Sequence, residues 1–86
     1  MDLTWKLAGA CRYASTDLFY PVSDSDAGPA KAVCSTCRVA EQCLEYALTV
    51  REPEGIWGGH TFAERRSILR RRRERERERA RVAVSA

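Results

Sequence analysis

Apolar positions recur at helical rather than two-residue spacing along most of the chain. In the stretch from Glu41 to Val50, Leu44, Ala47 and Leu48 share one face. Pro29 suits the first position of a preceding helix through Ala30, Ala32, Val33 and Cys34. Upstream, Trp5, Leu7 and Ala8 mark a segment of one or two turns. Ser15, Thr16 or Asp17 can cap a brief turn holding Leu18, Phe19 and Tyr20, which Pro21 ends. The run VSDSDAGP reads as a loop. EPEGIWGGH then breaks the pattern, and its glycines at 55, 58 and 59 call for positive φ or close backbone approach, with Trp57 at the tip. Thr61 and Glu64 form a capping box that opens a helix through Ile68 and Leu69 into RRRRERERERAR. Beyond Arg70 the apolar stripe is gone, so this part is expected to project into solvent and fray. Strand signals are scarce. The expected fold class is all-α: a small domain of short helices with a glycine-rich turn, residues 1–69, followed by a basic C-terminal helix or tail, residues 70–86.

Charge sharpens that division. Residues 64–86 hold ten arginines and four glutamates, net +6, whereas residues 1–63 are net −3. An acidic body with a basic tail is the footprint of a chain that meets nucleic acid or another polyanion, although a solvated helix end laced with ion pairs has the same composition. Glu74, Glu76 and Glu78 can neutralise Arg77, Arg79 and Arg75 through pairs three residues apart. The less neutralised block, Arg70, Arg71, Arg72 and Arg73, is the expected DNA contact. Arginine there would mainly grip phosphate, independently of base sequence.

Size raises a second question. A chain of 86 residues buries a modest core, so a cross-link is expected. The N-terminus does not resemble a secretory signal and no segment approaches a membrane span, which places the chain in a reducing cytoplasm. There, four cysteines favour metal or redox chemistry over permanent disulfides. Cys34, Cys37 and Cys43 cluster within CSTCRVAEQC, and Cys11 lies well upstream. Three clustered thiols with one remote suit an iron-sulfur cluster, yet the spacing also leaves open zinc, a dithiol redox site, or buried unliganded cysteines.

ACR around Cys11, DLFYP, AKAVCSTC, EQCLEYAL, GIWGG and ERR occur here in that order. In this combination, from about Trp5 to Arg73, the chain resembles the WhiB-like family of bacterial iron-sulfur transcription regulators. The resemblance implies that Cys11, Cys34, Cys37 and Cys43 bind one 4Fe-4S cluster, sensitive to oxygen and nitric oxide and so open to nitrosylation or oxidative loss. It implies docking on the C-terminal region of the primary sigma factor through aromatics near the cluster, here Trp5, Phe19, Tyr20 and Trp57, with Gly55, Gly58 and Gly59 shaping the turn. It also implies promoter DNA contact by the basic tail, and neither a membrane nor a small-molecule substrate as partner. Arg38 stands where the family often has proline, Tyr20 replaces a common phenylalanine, and the tail lacks an Arg-Gly-Arg hook.

Other classes fit less well. A thioredoxin-like oxidoreductase using Cys34 and Cys37 would be signalled by a βαβ pattern, and no strand run appears. No Ser-His-Asp set, phosphate-cradling loop or carboxylate dyad is present, so an enzyme is not expected. Loss of the cluster would free four thiols able to form disulfides. His60 reads as a solvated loop residue. Trp5, Phe19 and Tyr20 suit a core as well as a partner, whereas Trp57, flanked by glycines, is expected to lack local cover. Tyr13 and Tyr46 carry no functional signal.

Overall fold

The computed structural model describes residues 3–85. Met1, Asp2 and Ala86, which fall within the two expected segments, lie outside the described residues. Four short 3-10 turns come first, Thr4–Ala8, Ala10–Tyr13, Thr16–Phe19 and Asp24–Asp26. Helices α1 (Gly28–Ser35), α2 (Ala40–Val50) and α3 (Phe62–Ser85) follow. Among the described residues the fold is all-α, with one isolated antiparallel bridge between Trp57 and His60. Among those residues no helix is long and apolar enough to cross a membrane.

The buried core is small: Phe19, Ala27, Ala30 and Ile56, with Leu18, Val33 and Cys34 packed against them. Helix α2 adds Ala47 and Leu48. α2 ends on Arg51, a non-glycine residue in the left-handed region at φ 57°. The glycine-rich segment is joined to the rest by the Ile56 N–H, which donates to the Phe19 carbonyl at 2.8 Å.

Helix α3 starts as expected. The Thr61 N–H donates to Glu64 at 2.8 Å and the Glu64 N–H to the Thr61 hydroxyl at 3.2 Å, closing the capping box. Lys31 of α1 adds an ion pair to Glu64 at 2.9 Å. The Thr61 amide and then Lys31 hold the Glu64 carboxyl below its ordinary range. Its contribution to stability is therefore present above the ordinary carboxylate pKa and is lost as pH falls through the lowered one. The next residue, Arg65, is only 2% exposed. Its guanidinium donates to the carbonyls of Glu52 at 2.9 Å, Glu54 at 3.4 Å, Gly55 at 2.9 Å and His60 at 2.8 Å.

Beyond Leu69 the structure departs from the sequence expectation. The helix does not fray at Arg70 but runs unbroken for 24 residues, about 36 Å at the usual rise. The expected boundary at 69/70 thus lies inside α3. Nor do the expected pairs within Glu74–Arg79 form among the described residues; these side chains are exposed, where pairing gains little over solvation. Arg72 instead reaches α2, donating to both carboxylate oxygens of Glu45 at 2.6 and 3.1 Å.

Replacing Arg65 removes a charged donor from four carbonyls and is expected to cost about 3 kcal/mol. Urea unfolding of Arg65→Met, prepared without oxygen, measures it against Arg66→Met, an exposed neighbour expected to change stability by less than about 1 kcal/mol. Equal losses in the two variants would remove Arg65 from this role.

Candidate metal centre

Three elements carry the four thiols. Cys11 lies in the 3-10 turn Ala10–Tyr13, Cys34 in the last turn of α1, Cys37 just past its end, and Cys43 in the first turn of α2. All four line one cavity of about 240 Å³, together with apolar Phe19, Val33, Val39 and Ile56. None is in a disulfide; Cys11 is exposed and the others are half-buried. Among the described residues no three His, Cys, Asp or Glu side chains are arranged to hold a single metal ion.

Backbone amides turn toward three of the sulfurs. The Ala10 N–H donates to Cys37 Sγ at 3.4 Å. The Gly59 and Gly58 backbones hydrogen-bond Cys34 and Cys43 respectively. Both glycines have positive φ, 55° at Gly58 and 81° at Gly59, and the flanking Trp57 and His60 exchange N–H···O bonds at 3.1 Å. This is a two-residue hairpin turn of the mirror-image kind, which demands residues free of a Cβ penalty. Space demands glycine too, since a Cβ at Gly58 would meet the Ala40 carbonyl and lie 2.7 Å from Leu44 Cβ. His60 is not a solvated loop residue: its Nδ1 lies 2.9 Å from the Gly58 carbonyl, and the ring is half-buried.

Electrostatics follow from this enclosure. Burial pushes the Cys43 thiol up to about 11, the Gly58 contact pulls it back, and the neighbouring thiols Cys34, Cys11 and Cys37 raise it further. Cys34 is raised for the same reasons, burial first. A nucleophilic Cys-x-x-Cys thiol requires the opposite shift, and Cys34 sits at a helix C-terminus, where the dipole disfavours a thiolate. Cys34 is therefore poorly placed to act as the attacking thiol of such a pair. A bound metal replaces the protons these thiols hold, so loading should release acid.

The aromatic residues divide. Phe19 is 8% exposed and belongs to the core, so little of its ring is left for a partner. Tyr20 is 48% exposed and its ring stands against Gly55, where a Cβ would come within 2.8 Å of it. Trp57 is not uncovered, as its glycine neighbours suggested. Its indole N–H donates to the Glu54 carbonyl at 3.0 Å, and its ring packs on Tyr46, centroids 5.6 Å apart. Trp5 also packs on Tyr46, with centroids 5.8 Å apart.

Comparison with known proteins bears on this arrangement. A family model described as "Transcription factor WhiB" matches residues 5–68. The chain belongs to the WhiB family. Among its WhiB relatives, "Transcriptional regulator WhiB1" of Bifidobacterium longum is 42% identical over 72 residues, 78% of each chain. "Transcriptional regulator WhiB1" of Mycobacterium tuberculosis is 38% identical over 76 residues, 80% of this chain and 88% of its own. "Redox-responsive transcriptional regulator WhiB3" of Mycolicibacterium smegmatis is 37% identical over 75 residues, 78% of this chain and 77% of its own. The family is one of transcriptional regulators, some of them redox-responsive. The WhiB match takes in all four cysteines and the glycine turn and stops before Arg70.

In this WhiB chain the donor set suits a thiolate-bound metal centre: soft sulfur ligands, amide donors on the sulfurs and a largely apolar wall. Three residues at the site escaped the sequence reading. Tyr46 had a usable signal, since it lies three residues after Cys43 and so shares its helix face. Arg65 and Lys6 had none, being ordinary charged residues until the fold buries one and seats the other over aromatic rings.

Gly58→Ala forces a left-handed alanine, about 1–2 kcal/mol by itself, and collides with α2. It is expected to lose most bound metal and to speed alkylation of Cys43 in metal-free protein, read by iron content and mass spectrometry. Gly28→Ala, whose Cβ would meet nothing within 4 Å, is the control. Full metal retention in Gly58→Ala would show that the turn does not hold the site.

Proposed function

We propose that this chain is a redox- and nitric-oxide-responsive transcription regulator of the cytoplasm, holding one 4Fe-4S cluster on Cys11, Cys34, Cys37 and Cys43. The observation that carries the reading is the convergence of four thiols from three elements on one cavity, with amides directed at three sulfurs. A single zinc held about 2.3 Å from the same four thiolates is the alternative reading. When bound, the cluster supplies an oxidant-labile cross-link between the N-terminal turn, α1 and α2. The chain's own part is to hold and shelter the ligands. Gly58, Gly59 and Ala10 place N–H donors on sulfur, Val33, Val39 and Ile56 exclude water, and exposed Cys11 leaves one side open to small reagents. With the ligands released, free thiols able to form disulfides remain.

In the same reading, the face formed by Trp5, Tyr20 and Trp57 docks on the C-terminal region of the primary sigma factor, and Arg70 to Arg73 contact promoter DNA. The sequence range of the family match supports the first part more than the second, because the arginine block lies beyond it. The pairing of Arg72 with Glu45 leaves Arg70, Arg71 and Arg73 as the phosphate contacts.

Protein purified without oxygen is expected to carry about four irons and four labile sulfides per chain, and alanine at any one of the four cysteines should remove most of both. One zinc and no sulfide would replace the cluster by the zinc reading. For the tail, each lost phosphate contact lowers the slope of log affinity against log salt by about 0.9. Changing Arg70, Arg71 and Arg73 to alanine should therefore flatten the promoter-binding slope by roughly 2 to 3 while sigma binding persists. An unchanged slope would make the tail a solvated helix end.

A further inference from the structure

Lys6 occupies an unexpected position. Its Nζ stands 4.5 Å from the Tyr46 ring centroid, 5.6 Å from Trp57 and 5.9 Å from Trp5. Three rings around one ammonium are an arrangement that recognises cations, because the negative π faces attract positive charge and the attraction grows as water is excluded. The rings come from the first 3-10 turn, α2 and the glycine turn, and each touches the next. The fold, not one local motif, builds the enclosure. Its occupant is lightly held, since the turn Thr4–Ala8 buries no residue and Lys6 itself is exposed. A cation seated on so weakly anchored a turn can be displaced by a better one.

We propose that Trp5, Tyr46 and Trp57 form an aromatic cage for a cationic side chain of a docking protein, with Lys6 as its built-in competitor. Arginine is the preferred occupant: its planar guanidinium stacks on ring faces and gives up water more readily than an ammonium. The inference rests on the reading that this face docks a protein partner. It adds the chemistry of the contact and assigns Tyr46 and Lys6 to it.

The test uses the full chain prepared without oxygen and two peptides, acetyl-Gly-Arg-Gly-amide and its citrulline counterpart, which keeps the shape and lacks the charge. Binding is read from the indole NMR resonances, and circular dichroism checks each variant's fold. Lys6→Ala is expected to bind the arginine peptide about two- to fivefold more tightly than the unaltered chain and to ignore citrulline. Adding Tyr46→Phe keeps that binding, and adding Tyr46→Leu abolishes it. Equal binding of the two peptides, or no gain on removing Lys6, overturns the cage. In a second arm, the sigma C-terminal region should bind Lys6→Ala more tightly and Trp57→Ala more weakly. If Trp57→Ala binds it unchanged, the docking reading of this face fails, and the peptides still decide the cage. If both variants bind more weakly, docking stands and Lys6 is no competitor, which overturns the inference.

Discussion

Between α2 and α3 the backbone runs through Glu52, Glu54, Gly55 and His60 with little regular structure to occupy its carbonyls. Carbonyls withdrawn from water need donors, and the planar fork of Arg65 reaches all four, with Trp57 adding its indole N–H at Glu54 and its backbone N–H at His60. Burial lowers the Arg65 pKa from its ordinary value and nearby Glu52 counters it, yet a guanidinium stays charged throughout. Much else depends on that contact. The segment so fixed carries the Gly58 and Gly59 amides to the cysteines and holds Trp57 against Tyr46. A core poor in large side chains has little other means of positioning it.

Helix α2 is the second organising element. Within four consecutive positions it supplies Cys43 to the cavity, Glu45 to Arg72 and Tyr46 to the aromatic group. Cys43 and Tyr46 are three residues apart and share a face, whereas Glu45 points elsewhere, toward α3. The thiol site, the aromatic surface and the arginine helix therefore meet on one short rod. The Glu45–Arg72 contact is solvent-exposed, with side chains about half accessible, so it orients α3 without adding much stability.

What the sequence made legible was local. Capping at Thr61 and Glu64, the proline near the start of α1 and the glycine turn are each decided within a few residues, and the structure forms them all. The four cysteines stood out by type, and their meeting at one cavity followed from motif order rather than from spacing alone. The rest was tertiary. Arg65 reads as surface charge in ERRS until its partners, as far as 13 residues back, are brought to it. Arg72 and Glu45 are 27 residues apart, beyond any helical pairing rule. The cover over Trp57 comes from α2, so glycine neighbours wrongly suggested a bare ring. For α3, the end of the apolar stripe was a poor guide to where the helix stops, because glutamate and arginine favour helix without any packing.

The unbroken course of α3 also governs how its charges are displayed. From Arg73 to Arg79 arginine and glutamate alternate strictly, a period of two, while the helix turns every 3.6 residues. The two periods disagree, so both signs are scattered around the rod and no side of that stretch is purely positive. In an extended chain the same residues would sort onto opposite edges, arginines along one and glutamates along the other. Whether the distal tail presents a mixed or a one-signed surface is thus a property of its backbone conformation, with no change of sequence or protonation required.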